Sequence, residues 1–375
     1  GLHPDGMAKE LRIKKGSRLG NCHVVEDILG EGSFGIVAKC RNTETNKIEA
    51  VRVYKSEEGV LEVAMDEIAI LKRLRRLNPD TCNIVQCNGF FFDKENICIS
   101  FELLDLSLQD YLQEKNPRGL TTRELRPILH QLATALSHLH SSGIIHADLK
   151  PPNVMVVNRH EQPLKVKLID FGVARLVSAV NQGDWMGTLH YSAPEMLLGE
   201  PFNESVDMWA LGLLMVELAT GCQLYPGKTE YDVLRFIFET QEFGTSHPGY
   251  EEDQKIFVSL VKSMLSLDAS RRITAQEVLK HRFFAPSLHQ NSTDFSARSP
   301  VPPLSAASWE ERVDNNHQNP ASWQSAASWE ERVDFNHQNP ASWQSGASWE
   351  ECVDFNHQKS SFLAVGCIMG RARGH

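Results

Sequence analysis

The chain of 375 residues has no surplus of positive charge: 38 Lys plus Arg stand against 48 Asp plus Glu, a formal net charge of −10. Phosphate binding along a nucleic acid needs excess cations on some face, so direct nucleic-acid binding is not expected. Metal-ligand patterning is missing as well. The eight cysteines, at 22, 40, 82, 87, 98, 222, 352 and 367, include no C-x-x-C pair and no His at zinc spacing. That usage fits free thiols in a reducing compartment rather than a disulfide frame or a zinc site. Long apolar runs are absent too: ALGLLMVELATG, Ala210 to Gly221, is too short to span a bilayer and contains Glu217, so no membrane span is expected. No secretory signal opens the sequence, and because it begins with Gly1 rather than Met, targeting stays open at that end.

What is present divides by periodicity. Residues 24–101 alternate short β-like runs (VVEDIL, GIVAKC, IEAVRVY, NIVQCNGFFF, ICISFELL) with Gly and Asn breaks. One helical stretch from Met65 to Leu77, MDEIAILKRLRRL, interrupts them. From Leu125 to about Phe284 long helical patterns take over, such as LRPILHQLATALSHLH and SVDMWALGLLMVELATG. An N-terminal extension, 1–23, carries a charge of +3, the span 24–284 carries −9, and the tail 285–375 carries −4.

The tail turns to Ser, Asn, Gln and Pro and holds five of the seven tryptophans. From 307 it repeats with a 20-residue period: ASWEERVDNNHQNPASWQSA, ASWEERVDFNHQNPASWQSG and a partial ASWEECVDFNHQ ending at 358. Each copy is too polar to stack into a solenoid core, so a disordered tail is expected. Ser308 with Glu311, Ser328 with Glu331 and Ser348 with Glu351 have capping-box spacing, consistent with transient helical turns. Such copies also suit a weak, multivalent, Trp-bearing motif for a protein partner.

Chemistry enters with LGEGSFGIV, a G-x-G-x-x-G at Gly30, Gly32 and Gly35 between two strand-like runs. Glycine lets a backbone approach phosphate oxygens without a Cβ in the way. Because a strand rather than a helix follows, the pattern departs from the dinucleotide fingerprint, and alone it reads equally well as a hairpin turn. Downstream stand HADLKPPN (146–153), LIDFG (168–172) and SAPE (192–195), an ordered series that chance seldom assembles.

With that series the chain resembles a eukaryotic protein kinase over roughly 24–284. The resemblance implies an α+β, bilobal protein kinase fold: a small β-rich N-lobe with one helix and a larger helical C-lobe. It implies Mg²⁺ and ATP as cofactors and a protein substrate, phosphorylated on Ser or Thr. Asp148 would take the proton of the attacking hydroxyl and Lys150 would stabilise the moving phosphate; Asn153 and Asp170, oxygen donors suited to a hard ion, would hold the metal. Lys150 and Thr188 resemble a Ser/Thr rather than a tyrosine kinase. Nucleotide contacts carry over to Leu29, Gly30, Glu31, Gly32, Ser33, Phe34 and Gly35 in the loop, to Val37 and Ala50 as roof and to Met155 as floor. Phe101 would be the gatekeeper, with the backbone of Glu102 and Leu104 as the hinge. Glu195 is expected to pair with Arg272, and Asp207 to hold the catalytic-loop backbone.

One position departs. Kinases place a Lys on the third strand, where it bridges phosphates and pairs with a helix Glu; EAVRVY puts Arg52 there, with Glu67 as the expected partner. Arginine keeps the charge, but its planar fork favours a carboxylate, which would leave the phosphates misplaced. Loss of one preorganised donor is worth ~3 kcal/mol, about a hundredfold in rate. Lys55 has the wrong strand parity to substitute, and Lys39 shares the parity of Val37 but lies a step further along. A pseudokinase, holding a nucleotide or a partner without transfer, is therefore the second reading. A third places function mostly in the Trp repeats.

Within kinases, HADLKP with Ala147, PLKVKLIDFG, LGEPFNESVDMWALG and LYPGKTEYDVLRFIFETQ resemble the homeodomain-interacting protein kinases. Ala147 removes a cation that would meet an activating phosphate. Two departures accompany it: the segment RLVSAVNQGDWMGTLHYSAPE has no Tyr before Tyr191, and Ser192 replaces the Arg that helps select a following proline. The segment between Gln241 and Asp253 is short for this group. The family implies an intracellular protein, nuclear or cytoplasmic. KRLRR, 72–76, reads as a solvated helix face rather than a nuclear signal.

Overall fold

The computed structural model describes residues 12–285 apart from 33, 58, 116–118 and 242–251. The expectations for the repeat tail, for Ser33 and for most of the 241–253 segment lie outside the described residues.

The first half builds a six-stranded antiparallel sheet. Its strands are β1 (Arg18–Leu19), β2 (His23–Gly32), β3 (Gly35–Asn42), β4 (Ile48–Tyr54), β5 (Cys87–Asp93) and β6 (Asn96–Glu102), in the order β1-β2-β3-β4-β6-β5. Helix α1 (Val60–Leu74) packs between β4 and β5 in sequence. Strand alternation sorts β4 into two faces: Val51 and Val53 join Leu19, Val25, Ala38, Cys40 and Cys98 in an outer core, while Tyr54 joins the main core. Ala50 and Arg52 share the parity of Tyr54 and so face the cleft.

Helix α1 begins five residues earlier than the pattern suggested. Gly59, at φ 82°, breaks the chain, and the apolar spacing of Ala64, Ile68 and Leu71 runs through the helix. It ends at Leu74 with Arg75 as its cap. The run from Asn83 was expected to be extended throughout, yet β5 starts only at Cys87. Asn83 lies in the left-handed region at φ 55°, and Val85 N–H donates to Leu168 O (3.0 Å), which ties this stretch to the second lobe.

The larger lobe adds β7 (Leu106–Ser107), helices α2 (Pro79–Cys82), α3 (Leu108–Lys115) and α4 (Thr122–Ser141), and then β8 (Ile144–Ile145), β9 (Val154–Asn158), β10 (Gln162–Leu168) and β11 (Arg175–Leu176). Five helices follow: α5 (Pro194–Leu197), α6 (Ser205–Thr220), α7 (Glu230–Gln241), α8 (Glu252–Met264) and α9 (Ala275–Leu279). A capping box, Thr121 with Glu124, starts α4 and satisfies two donors that would otherwise be orphaned. Helix α6 is apolar nearly all round and correspondingly buried, from Val206 to Leu218, and ends at Gly221 (φ 73°). Its burial fixes Asp207, in its first turn, beneath the catalytic loop. One continuous core runs from Tyr54 and α1 through α4 and α6 to Phe283, so the two lobes share buried contacts.

Candidate active site

The glycine loop is the turn between β2 and β3. Gly30, Glu31 and Gly32 pair with Val37, Ile36 and Gly35, and a register shift between Ile28 and Gly30 leaves Leu29 as an added residue. Gly35 is irreplaceable on steric grounds: at φ 153°, a Cβ would sit 1.8 Å from Val53 O. Phe34 packs against the main core, and its carbonyl accepts from Lys55 N–H at 2.9 Å. Val37 lies opposite Arg52, Ala50 opposite Phe101, and Met155 is buried on β9. Glu102 N–H is already donated to Gln86 O (3.0 Å), while its carboxylate accepts from buried Lys167 (2.8 and 2.9 Å). Neither tie was apparent from sequence. The Leu104 N–H keeps no protein partner among the described residues, and its neighbour Asp105 N–H donates to Val156 O (3.0 Å).

The catalytic loop hangs from Asp207. Its two oxygens accept the backbone N–H groups of His146 and Ala147, both at 2.9 Å, and His140 Nε2 adds a contact at 3.0 Å. Burial opposes ionisation of Asp207, but the hydrogen bond and charge of His140 prevail and lower its pKa below the ordinary 3.8. Ala147 is held in the left-handed region at φ 65°. On this frame Asp148 Oδ1 accepts from Thr188 Oγ1 (2.7 Å), and Oδ2 accepts from Asn153 Nδ2 (2.9 Å) with Lys150 Nζ at 3.2 Å. Lys150 Nζ also donates to Thr188 (2.9 Å). Buried Asp148, Lys150 and Asn153 thus form one polar cluster with half-buried Thr188.

Arg52 forms a second cluster, from β4. A single nitrogen, Nη1, reaches Glu67 Oε1 and Oε2 (both 3.3 Å), Asp170 Oδ1 (3.1 Å) and the Tyr54 hydroxyl (3.3 Å). The Tyr54 hydroxyl donates in turn to Glu67 Oε2. Glu67 is fully buried, so α1 sits with its carboxylate turned inward. Burial raises the Glu67 pKa against the pull of Arg52. Burial works the same way on Asp170, but there the Arg52 charge and hydrogen bond win and hold its carboxyl at about 2. Arg52 itself is pushed up from its ordinary value, since the charges of Asp170 and Glu67 outweigh its burial. Tyr54 is a site residue that sequence reading missed; its one signal was strand parity with Arg52.

The oxygen donors fit a hard cation. Asn153 turns its amide nitrogen to Asp148, and Asp170 spends Oδ1 on Arg52 and Gly172 N–H (3.2 Å). Asn153 Oδ1 and Asp170 Oδ2 have no protein partner among the described residues, which suits Mg²⁺ coordination. Asp170 adopts φ 63°, a strained value for a non-glycine residue, and Arg52 with Gly172 over-determines it.

The activation segment is seated on the catalytic loop. β11 pairs with β8, and Val177 N–H donates to Gly143 O at 2.9 Å. At Gly187 (φ 93°) a Cβ would lie 2.0 Å from Ala147 O, so only glycine permits this approach. Ser192 is buried and donates to Thr188 O (3.2 Å). Arg272 forms a two-point pair with Glu195 at 2.6 and 3.0 Å, as expected.

The family model for the protein kinase domain matches residues 23–284. The chain therefore belongs to the protein kinase family. Within that family it is similar to homeodomain-interacting protein kinase 1 of Mus musculus, 33% identical over 330 residues, covering 70% of this chain and 27% of the relative. Homeodomain-interacting protein kinase 1 of Rattus norvegicus is 43% identical over 221 residues, covering 59% and 18%. The protein of that name from Caenorhabditis elegans is 42% identical over 225 residues, covering 60% and 27%. The chain thus spans about a quarter or less of the length of these relatives. No helix among the described residues is long and apolar enough to cross a membrane.

Proposed function

We propose that the chain is a protein serine/threonine kinase that transfers the γ-phosphoryl group of ATP to a Ser or Thr hydroxyl of a protein. The observation that carries this reading is the intact cluster of Asp148, Lys150, Asn153 and Thr188, hung from Asp207. Asp148 takes the proton as the hydroxyl oxygen bonds to the γ-phosphorus; the bond to the β–γ bridging oxygen breaks, and ADP leaves. Lys150 places positive charge beside Asp148, where the transferred group gains negative charge. Mg²⁺, held by Asn153 and Asp170, would neutralise phosphate oxygens. Adenine would lie between Val37 and Ala50 above and Met155 below, with the Leu104 N–H as donor and Phe101 behind. The loop from Leu29 to Gly35 would close over the phosphates.

A second reading rests on Arg52. Its Nη1 is shared among Glu67, Asp170 and Tyr54, so its charge is committed to carboxylates through one nitrogen rather than through a two-nitrogen fork. On that reading the chain is a pseudokinase that holds nucleotide and competes with or scaffolds active relatives. The full chain, incubated with Mg²⁺, labelled ATP and a basic protein, separates the two. Incorporation that Asp170→Asn abolishes supports the kinase; no signal above that control, with thermal stabilisation by ATP, leaves the pseudokinase.

A further inference from the structure

A cavity of about 540 Å³ opens at the edge of the sheet, and of the cleft residues described above its lining shares only Gln86, whose carbonyl holds Glu102. One wall is the end of α1 and its exit, Leu71, Leu74 and Leu77; the other is edge strand β5, with Cys87, Gly89 and Phe90. At Gly89 a Cβ would meet nothing within 4 Å, so the mouth is open there. Beside it Phe90 and Phe92, which share strand parity, are 44% and 66% exposed, and Lys72 Nζ lies 4.9 Å over the Phe90 ring. Large aromatic rings left in water on an edge strand mark an interaction surface.

The inner end of the cavity is polar. Glu49, His23 and Ser100 line it and are each at most 5% exposed. Glu49 Oε2 accepts from His23 Nε2 (2.8 Å) and from the Ser100 hydroxyl. Among the described residues Oε1 receives only a long contact from Asn42 Nδ2 at 3.4 Å, so it retains capacity for one more donor. A side chain with a large apolar body and a single N–H donor matches that combination, and tryptophan is the residue with both. The rim carries positive charge: Lys47 and Arg75 border the cavity and are exposed, and exposed Lys72 sits over Phe90.

The chain carries a segment of this chemistry. Residues 307–358 contain Trp-Glu-Glu three times and hold nine acidic against two basic side chains, opposite in sign to the rim. The described residues end at Ala285, and 21 residues separate it from the first copy. At up to ~3.5 Å per residue that connection reaches roughly 70 Å, enough to cross a domain of this size. We propose that Trp309, Trp329 or Trp349 of the repeats docks in this cavity in cis, its indole N–H on Glu49 and its adjacent glutamates on Arg75 and its neighbours. Three equivalent copies on one tether raise the chance that one is seated, without any copy binding tightly. Because the cavity is walled by α1 one and two turns beyond Glu67, a seated Trp braces the helix that carries Glu67 inward.

Cys87, a half-buried thiol of the cavity wall, reports occupancy, and Cys222, exposed on the other lobe, serves as the reference. In the full chain, alkylation of each thiol is followed by peptide mass spectrometry. With a ~mM effective concentration supplied by the tether, a copy whose Kd is about tenfold lower, ~0.1 mM, shields Cys87 about tenfold. Trp309→Ala/Trp329→Ala/Trp349→Ala, which alters no described residue, is expected to speed Cys87 alkylation by about that factor while Cys222 is unchanged. Arg75→Glu should act in the same direction, and raised salt should weaken the shielding. The triple Trp→Phe variant should fall between, keeping the apolar body but losing the donor. An unchanged Cys87 rate in the triple Ala variant overturns the proposal. Protection that vanishes on dilution overturns the assignment in cis and gives the cavity to a second copy.

Discussion

The catalytic loop and the β4 corner meet at the same cleft and satisfy their charges in different ways. In the loop, the Asp148 oxygens divide their work: one takes Thr188, the other takes Asn153 and Lys150. At the corner, two carboxylates and a phenol converge on a single arginine nitrogen. The difference teaches that, on the proposed kinase reading, the groups assigned to proton and metal keep separate partners, while the group assigned to the phosphates is tied into a structural knot. A kinase limited at one corner and a pseudokinase with a preserved loop differ in which arrangement dominates.

The sharpest way to break the comparison is Asp148→Asn. If the loop is catalytic, transfer falls by ~10²–10⁴-fold, while the shift in melting temperature on adding ATP is kept. Next in size is the pair Arg52→Lys/Tyr54→Phe, which frees Glu67 to accept an ammonium as its sole partner on β4. Transfer should rise about a hundredfold, by recovery of the misplaced donor, in initial-rate assays. Arg52→Lys alone should give a smaller rise, about tenfold, because the Tyr54 hydroxyl still occupies Glu67 Oε2. If the single and double variants match, the phenol has no part in the corner.

The smallest effect lies in the acid limb of stability. Asp207 has a folded pKa below its unfolded value, so its contribution is present above about pH 3.8 and is lost as pH falls through the lower, folded value. Asp207→Asn should start less stable at neutral pH, and its melting temperature should lack that part of the acid decline. Thermal melts from about pH 2 to pH 7 check the slope.

Much of the fold and of the loop cluster was legible because chemistry ties residue types to short spacings. Asp148, Lys150 and Asn153 lie within six residues, and the Asp207 and Glu195–Arg272 supports followed from motifs at fixed places. The β4 corner was legible only in part. Arg52 and Glu67 stood out, but a tyrosine in a strand is an ordinary β-former, and nothing local says that its hydroxyl reaches α1. The cluster of Glu49, His23 and Ser100 was invisible for a different reason: its members lie 26 and 51 residues apart and meet only through sheet register. The start of α1 was misplaced because Met65, where the apolar spacing was taken to begin, lies inside the helix on its exposed side, while the break at Gly59 depends on a backbone conformation.

The contact between Tyr54 and Glu67 also makes the corner epistatic. The hydroxyl occupies Glu67 Oε2, so what a residue at position 52 gains from Glu67 depends on what stands at 54, and substitution scans of either position alone understate what the pair can accommodate.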